Sequence, residues 1–210
     1  MRKVLFCNIA WMKNYRGCSE SDMPINGGKY VSDTHDAHEA YNFEAIYLNG
    51  SDDEYCLGFV ETKTTNGKYR NQLHIEKIGN QSDKDIKELD DVLVVWCAKS
   101  DCLDFTSIVG WYKNATVFRY YNEVEFEDGY KQNYNIIAKA EDCVLLPVNV
   151  RSRRALWYVP RKGKKNGPSY GFGQANIWFA NESDKNINLK NYLHKIINQI
   201  NNYDGENLID

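Results

Sequence analysis

Short apolar runs bounded by turn residues fill most of the chain, and a helical stripe emerges only near its end. Residues 3–7 predict a first strand and 55–61 another, while 73–78 alternate well enough for a half-buried strand. The run at 91–97 is almost continuously apolar, which predicts a central strand. Two further strands, 107–111 and 115–121, are separated by the polar pair Lys113 and Asn114, and 133–139 follows. Pro147 and Pro160 bracket a short extended piece that holds Leu156, Trp157 and Tyr158.

Helical signals are fewer. Residues 37–43 suit one or two turns, and 82–89 suit a capped turn opened by Ser82 with Asp85 behind it. The one sustained stripe is Leu189, Tyr192, Leu193, Ile196, Ile197 and Ile200, spaced as the inward face of an amphipathic helix with Asn188 placed as its N-cap. After Asn201 the chain turns polar and acidic, so fraying or a linker is expected. The pattern as a whole predicts an α+β protein with a mostly β core. No 20–50-residue repeat is visible, and no Pro/Ser-rich linker interrupts the first 180 residues. Residues 1–182 therefore read as one domain, and 183–210 as a C-terminal helix and tail that could lead into another.

Composition narrows the class. With 210 residues, 42% hydrophobic and 26% charged, the chain is long enough to bury a core and unlike a disordered, collagenous or coiled-coil sequence. No apolar run approaches the ~20 residues of a membrane span. Arg2 and Lys3 precede a short apolar run, but Asn8, Lys13 and Arg16 follow too soon for a signal peptide, so this run reads as a strand. Cysteines 7, 18, 56, 97, 102 and 143 form no C-x-x-C pair and do not combine with the four histidines at ligand spacing. Buried free thiols, a reducing cytoplasm and no metal or other cofactor are the corresponding expectations.

The net charge of −3 argues against a nucleic-acid partner until its distribution is considered. Arg151, Arg153, Arg154, Arg161, Lys162, Lys164 and Lys165 fall within fifteen residues that contain no acid. Such a stretch suits either a solvated loop or a set of phosphate contacts. Several aromatics stand beside amides at turn-like places, notably Asn8 with Trp11, Trp111 and Tyr112 with Asn114, and Asn176 with Trp178. Rings that stack and amides that read polar edges are what a slot for a planar base requires.

Phosphate-loop, dinucleotide, serine-hydrolase and zinc-protease motifs are absent from the sequence. The one enzymatic pattern is Glu61 and Lys63 on a strand with Asp52, Asp53 or Glu54 upstream, an arrangement able to hold Mg²⁺ for phosphodiester cleavage. A nuclease centred on Glu61 and Lys63 is thus an alternative, although a binding protein without catalytic residues is the primary expectation.

The apolar strand at 91–96, followed after a polar loop by the strand from Ser107 through Gly110, Trp111, Tyr112 and Asn114 to Val117, resembles the paired central strands of EVE and YTH domains in the PUA-like superfamily. The start, with Asn8 and Trp11, is similar to their first strand and polar turn. Residues 26–30, 38–43, 159–161 and 171–178 resemble EVE-like modules at the N-terminus of bacterial modification-dependent restriction proteins. The resemblance spans about residues 3–182. It implies a twisted β-barrel with surrounding helices, and a specificity module that flips a modified base, foremost a modified cytosine, into an aromatic pocket. The DNA-binding module would serve a restriction or phage-defence system, with the effector in a fused or partner nuclease; a modified-base reader of RNA is the variant of this reading. The sequence departs from the resemblance in its length, its extra cationic stretch and the lack of an attached nuclease motif.

On this reading Trp11, Trp111 and Tyr112 form the cage, with Tyr30 and Trp178 as further rings. Asn8 and Asn114 read the base edge, supported by His38, Asn42 and Asn176. Arg151, Arg153, Arg154, Arg161, Lys162, Lys164 and Lys165 hold phosphates, which positions the nucleic acid without reading its sequence. A third reading, a protein-interaction module, would use the stripe from Leu189 to Ile200 as a docking face.

Overall fold

The computed structural model describes residues 3–26, 38–48, 50–62, 71–126, 129–163, 167–181 and 186–209. Nine strands share one mixed sheet: β1 (Val4–Asn8), β2 (Ala45–Tyr47), β3 (Glu54–Gly58), β4 (Glu88–Ala98), β5 (Thr106–Glu125), β6 (Lys131–Lys139), β7 (Cys143–Leu145), β8 (Tyr158–Val159) and β9 (Ile177–Phe179). Their order is β2-β3-β6-β5-β4-β1-β9, with β7 and β8 also paired to β5. β1 runs parallel to β4 and every other pair is antiparallel. The architecture is α+β and mostly β, and the sheet does not close into a barrel. Among the described residues no helix is long and apolar enough to cross a membrane.

Alternation along the central strands sends side chains into two separate cores. Leu5, Cys7, Val94, Trp96 and Tyr112 belong to an inner core, whereas Val4, Phe6, Val95, Cys97 and Trp111 belong to an outer one. The sheet curls over the inner core, bringing β3 against the rings of β4 and β5. A Cβ at Gly58 would lie 2.5 Å from the Trp96 ring, so only glycine admits this approach. The outer core is covered by two one-turn helices, α1 (Val148–Arg151) and α2 (Arg154–Trp157), and by the long α3 (Ile187–Asn201).

The expected break at Lys113 and Asn114 is a bulge inside a single 20-residue strand. Between the pairs Val92↔Ala115 and Val94↔Tyr112, β5 carries one extra residue. Between Leu89↔Val117 and Val92↔Ala115, β4 carries one. Asn114 and Asp91 occupy these bulges with φ of 50° and 58°, a left-handed conformation that Asn and Asp tolerate better than bulkier residues. The two offsets cancel.

Other expectations are revised. Residues 75–77 form a 3-10 turn, not a strand, because Leu73, Ile75 and Ile78 reach the inner core around a bend that ends at Gly79 and Asn80, both with positive φ. Residues 82–87 form no helix; Asp83 caps Asp85 locally, and β4 begins at Glu88. The piece between Pro147 and Pro160 is mostly helical, with only Tyr158 and Val159 extended. In α3 the N-cap is Asn186, which accepts from the Leu189 N–H, rather than Asn188. Beyond α3 the tail folds back: the Asn207 side chain bonds the Leu145 N–H and the Cys143 carbonyl, the Leu208 N–H donates to the Leu145 carbonyl, and Ile209 is buried.

Candidate nucleic-acid interface

The C-terminal end of β1 gathers polar groups from four segments. The Asn8 N–H donates to the Asn176 carbonyl at 2.7 Å, and the Asn176 amide reaches the Glu61 carboxylate at 3.4 Å. The neighbouring Ala10 N–H donates to Glu39 at 2.8 Å. Desolvation raises the Glu39 carboxyl above its ordinary range, against the lowering effect of that N–H. The exposed His38 ring stands 5.0 Å from Phe59, which in turn stacks on Tyr121 at 5.0 Å. The Asn8 Oδ1 is buried and accepts no hydrogen bond from any described residue. At this end the groups open to solvent are the Glu61 carboxylate and the His38 ring, the latter backed by the buried Phe59.

The aromatic cage is not assembled. Trp111 and Tyr112 are consecutive in β5 and point to opposite faces: Trp111 stacks on Trp157 at 5.7 Å in the outer core, and Tyr112 meets Phe43 and Trp96 edge-on in the inner one. Trp11 is 7% exposed, and its ring is covered by the Arg151 guanidinium at 5.2 Å. Trp178 packs on Phe6 at 4.6 Å in the outer core. Asn42 is wholly buried, its amide giving to and taking from the Phe59 backbone. Asn114 lies away from this end, bonded to Asp142. Of the expected edge readers, Asn8, Asn176 and His38 come to the end of β1. Tyr30 lies outside the described residues, as do Lys63, Lys164 and Lys165.

The expected phosphate contacts divide. Arg151 is fully buried and donates to the carbonyls of Leu146, Met12 and Lys13 at 2.6, 2.8 and 2.7 Å. Burial lowers its pKa to about 10. It joins α1 to the segment after β1 and does not present itself to a ligand. Arg153, Arg154 and Lys162 are exposed, and the half-buried Arg161 reaches the Gly173 carbonyl, three residues before Asn176. Arg154 pairs with Asp104 at 2.9 Å, with both partners more than half exposed, so the pair is well screened by solvent.

A wider charge pattern, not used in the sequence expectations, encloses these cations. Residues 143–203 hold ten Lys and Arg against two acids, while the rest of the chain holds sixteen against twenty-seven. That stretch supplies α1, α2, β9 and α3, the cover of the outer core. Among the described residues of this stretch, Arg153, Arg154, Arg161, Lys162, Lys190 and Lys195 are at least partly exposed, whereas Arg151 is buried.

One further expectation is settled by placement. The stripe of α3 is spent inside the molecule, since Leu189, Leu193, Ile196, Ile197 and Ile200 are all buried in the outer core. Among the described residues no group of three or more His, Cys, Asp or Glu is arranged to hold a metal ion. Compared with known proteins, the chain matches no family model, no curated protein and no solved structure.

Proposed function

We propose that the protein binds nucleic acid across its cationic side and reads an extruded base at the C-terminal end of β1. The observation that carries this reading is the charge segregation: among the described residues of 143–203, Arg153, Arg154, Arg161, Lys162, Lys190 and Lys195 reach solvent and no acid accompanies them. The exposed Glu61 carboxylate at the end of β1, held beside Asn176, favours a base that donates an exocyclic amino group, as cytosine and adenine do. His38 with Phe59 supplies the ring surface in place of the cage expected from Trp11, Trp111 and Tyr112. A modified cytosine in DNA is the first ligand on this reading, and a PUA-like twist of the open sheet remains part of it as an inference from the resemblance alone. One buried methyl adds ~1 kcal/mol, so preference for the modified base is roughly fivefold and graded.

The test is titration of labelled duplexes carrying cytosine, 5-methylcytosine, 5-hydroxymethylcytosine or N6-methyladenine, and of matching RNA, over a salt series. Affinity falls with salt, and the triple variant Arg153→Ala, Arg154→Ala, Lys162→Ala lowers the slope of log K against log salt by ~2–3. Glu61→Gln narrows discrimination among the four duplexes while leaving that slope unchanged. Equal affinity for all four removes the base reading, and binding indifferent to salt removes the interface.

A further inference from the structure

An open groove runs along α3, walled on its other side by α2 and by residues 167–170, outside the cluster at the end of β1. Its two adjoining hollows, about 520 and 670 Å³, share Tyr192 and Lys195. We propose that this groove is a second nucleic-acid contact, a track for the strand flanking the extruded base. The proposal deepens the reading above and rests on it.

Three features carry the assignment. The first is charge. α3 has 15 residues with Lys190, His194 and Lys195 and no acid, in a chain where 29 of 210 residues are acidic, and α2 on the opposite wall brings Arg154 and no acid. The second is the division of the lining. One hollow offers hydroxyl, amide and ammonium donors from Ser169, Asn188, Asn191 and Lys195, which suit phosphate oxygens. The other is floored by Leu156, Tyr158 and Ile196, which suit a sugar or a base face. This floor is fixed: the Tyr192 hydroxyl donates to the Tyr158 carbonyl at 3.1 Å, and the Lys195 ammonium to the Ala155 carbonyl at 2.6 Å.

The third is reach. β9 leads from the base end to the groove, because Asn176 precedes it and the Trp178 ring lies 6.0 Å from Tyr192. Two strand residues at ~3.3 Å each and that ring contact make a path of about 13 Å. This equals roughly four nucleotide steps of a stacked strand at ~3.4 Å. Because this path crosses the outer core through the buried Trp178, it is a minimum, and the groove is felt only by strands that extend at least about four nucleotides past the base.

The test compares the wild-type chain with the double variant Asn191→Asp, Lys195→Gln, whose two positions face solvent and whose glutamine keeps a donor for Ala155. An unchanged thermal midpoint verifies the fold, and labelled strands of three and twelve nucleotides, with and without 5-methylcytosine, are the probes. The double variant weakens the twelve-nucleotide strand about tenfold or more, lowers its salt slope by ~1, and changes binding of the three-nucleotide strand less than twofold. No loss on the long strand, equal loss on both lengths, or no binding of either by the wild type overturns the track. So does displacement by poly-glutamate as effective as by an equal charge of nucleic acid, since the groove would then serve an acidic polypeptide. Loss confined to long strands, without any preference for 5-methylcytosine, retains the track and removes the base reading.

Discussion

The two faces of the sheet are built from the same strands yet finished differently. The inner core is closed by the sheet's own curl, with β3 laid against Trp96 and Tyr112, and by the 3-10 turns at His38–Tyr41 and Ile75–Lys77, and has no α-helix over it among the described residues. The outer core is sealed by α1, α2 and α3, which come from a stretch of sequence, 143–203, with only two acids. Packing needs only apolar atoms on the buried side of a cover and leaves its solvent side unconstrained. The charge bias of the outer cover is thus not explained by stability, and a surface function is the reason to retain it.

The sharpest way to break this comparison is at Arg151, which lies in the cationic stretch by sequence but in the interior by position. Arg151→Met leaves the carbonyls of Leu146, Met12 and Lys13 without their donor and costs ~3–5 kcal/mol in urea unfolding. The exposed Arg153→Met stays within ~0.5 kcal/mol. Equal costs would show that burial does not separate the two. Next come the neighbours Trp111 and Tyr112. Trp111→Ala opens the stack with Trp157 and costs about 3 kcal/mol, whereas Tyr112→Phe removes a buried hydroxyl that has no partner and changes stability by less than ~1 kcal/mol in either direction. A large loss from Tyr112→Phe would reveal a partner for that hydroxyl.

The smallest effect is at Glu39. Because its folded pKa is raised, the folded state holds a proton that the unfolded state releases above about pH 4.3. Its contribution is therefore fully present below that pH and declines as pH rises through the folded value. In unfolding free energies measured from pH 4 to 8, wild type loses ground to Glu39→Gln as pH increases; the opposite slope contradicts the desolvated carboxyl.

Much of the sheet was legible because β1 and β4 are apolar runs doubly covered, and α3 because Leu189 through Ile200 keep a helical period. The bulge at Asn114 was not, since a polar pair inside a strand reads as a turn unless the ladder across it is known. At the candidate site, Asn8 and Asn176 were identified from turn-like settings, and β1 and β9 bring them together. The cage failed on a rule the sequence does carry: adjacent strand residues face opposite ways, so Trp111 and Tyr112 could not share a slot. Arg151 carried no local sign of burial, because its partners are backbone carbonyls, two of them nearly 140 residues away.

The cancelling bulges at Asp91 and Asn114 behave like two frameshifts that restore one reading frame. Loss of Asn114 alone would exchange inward for outward side chains along the adjoining stretch of β5, pushing Trp111 toward the space of Tyr112. Between Leu89 and Val94 a residue lost from one strand is therefore matched by one lost from the other, whereas the further one-residue shift between Trp96 and Cys97, where β5 carries the extra residue, has no such partner.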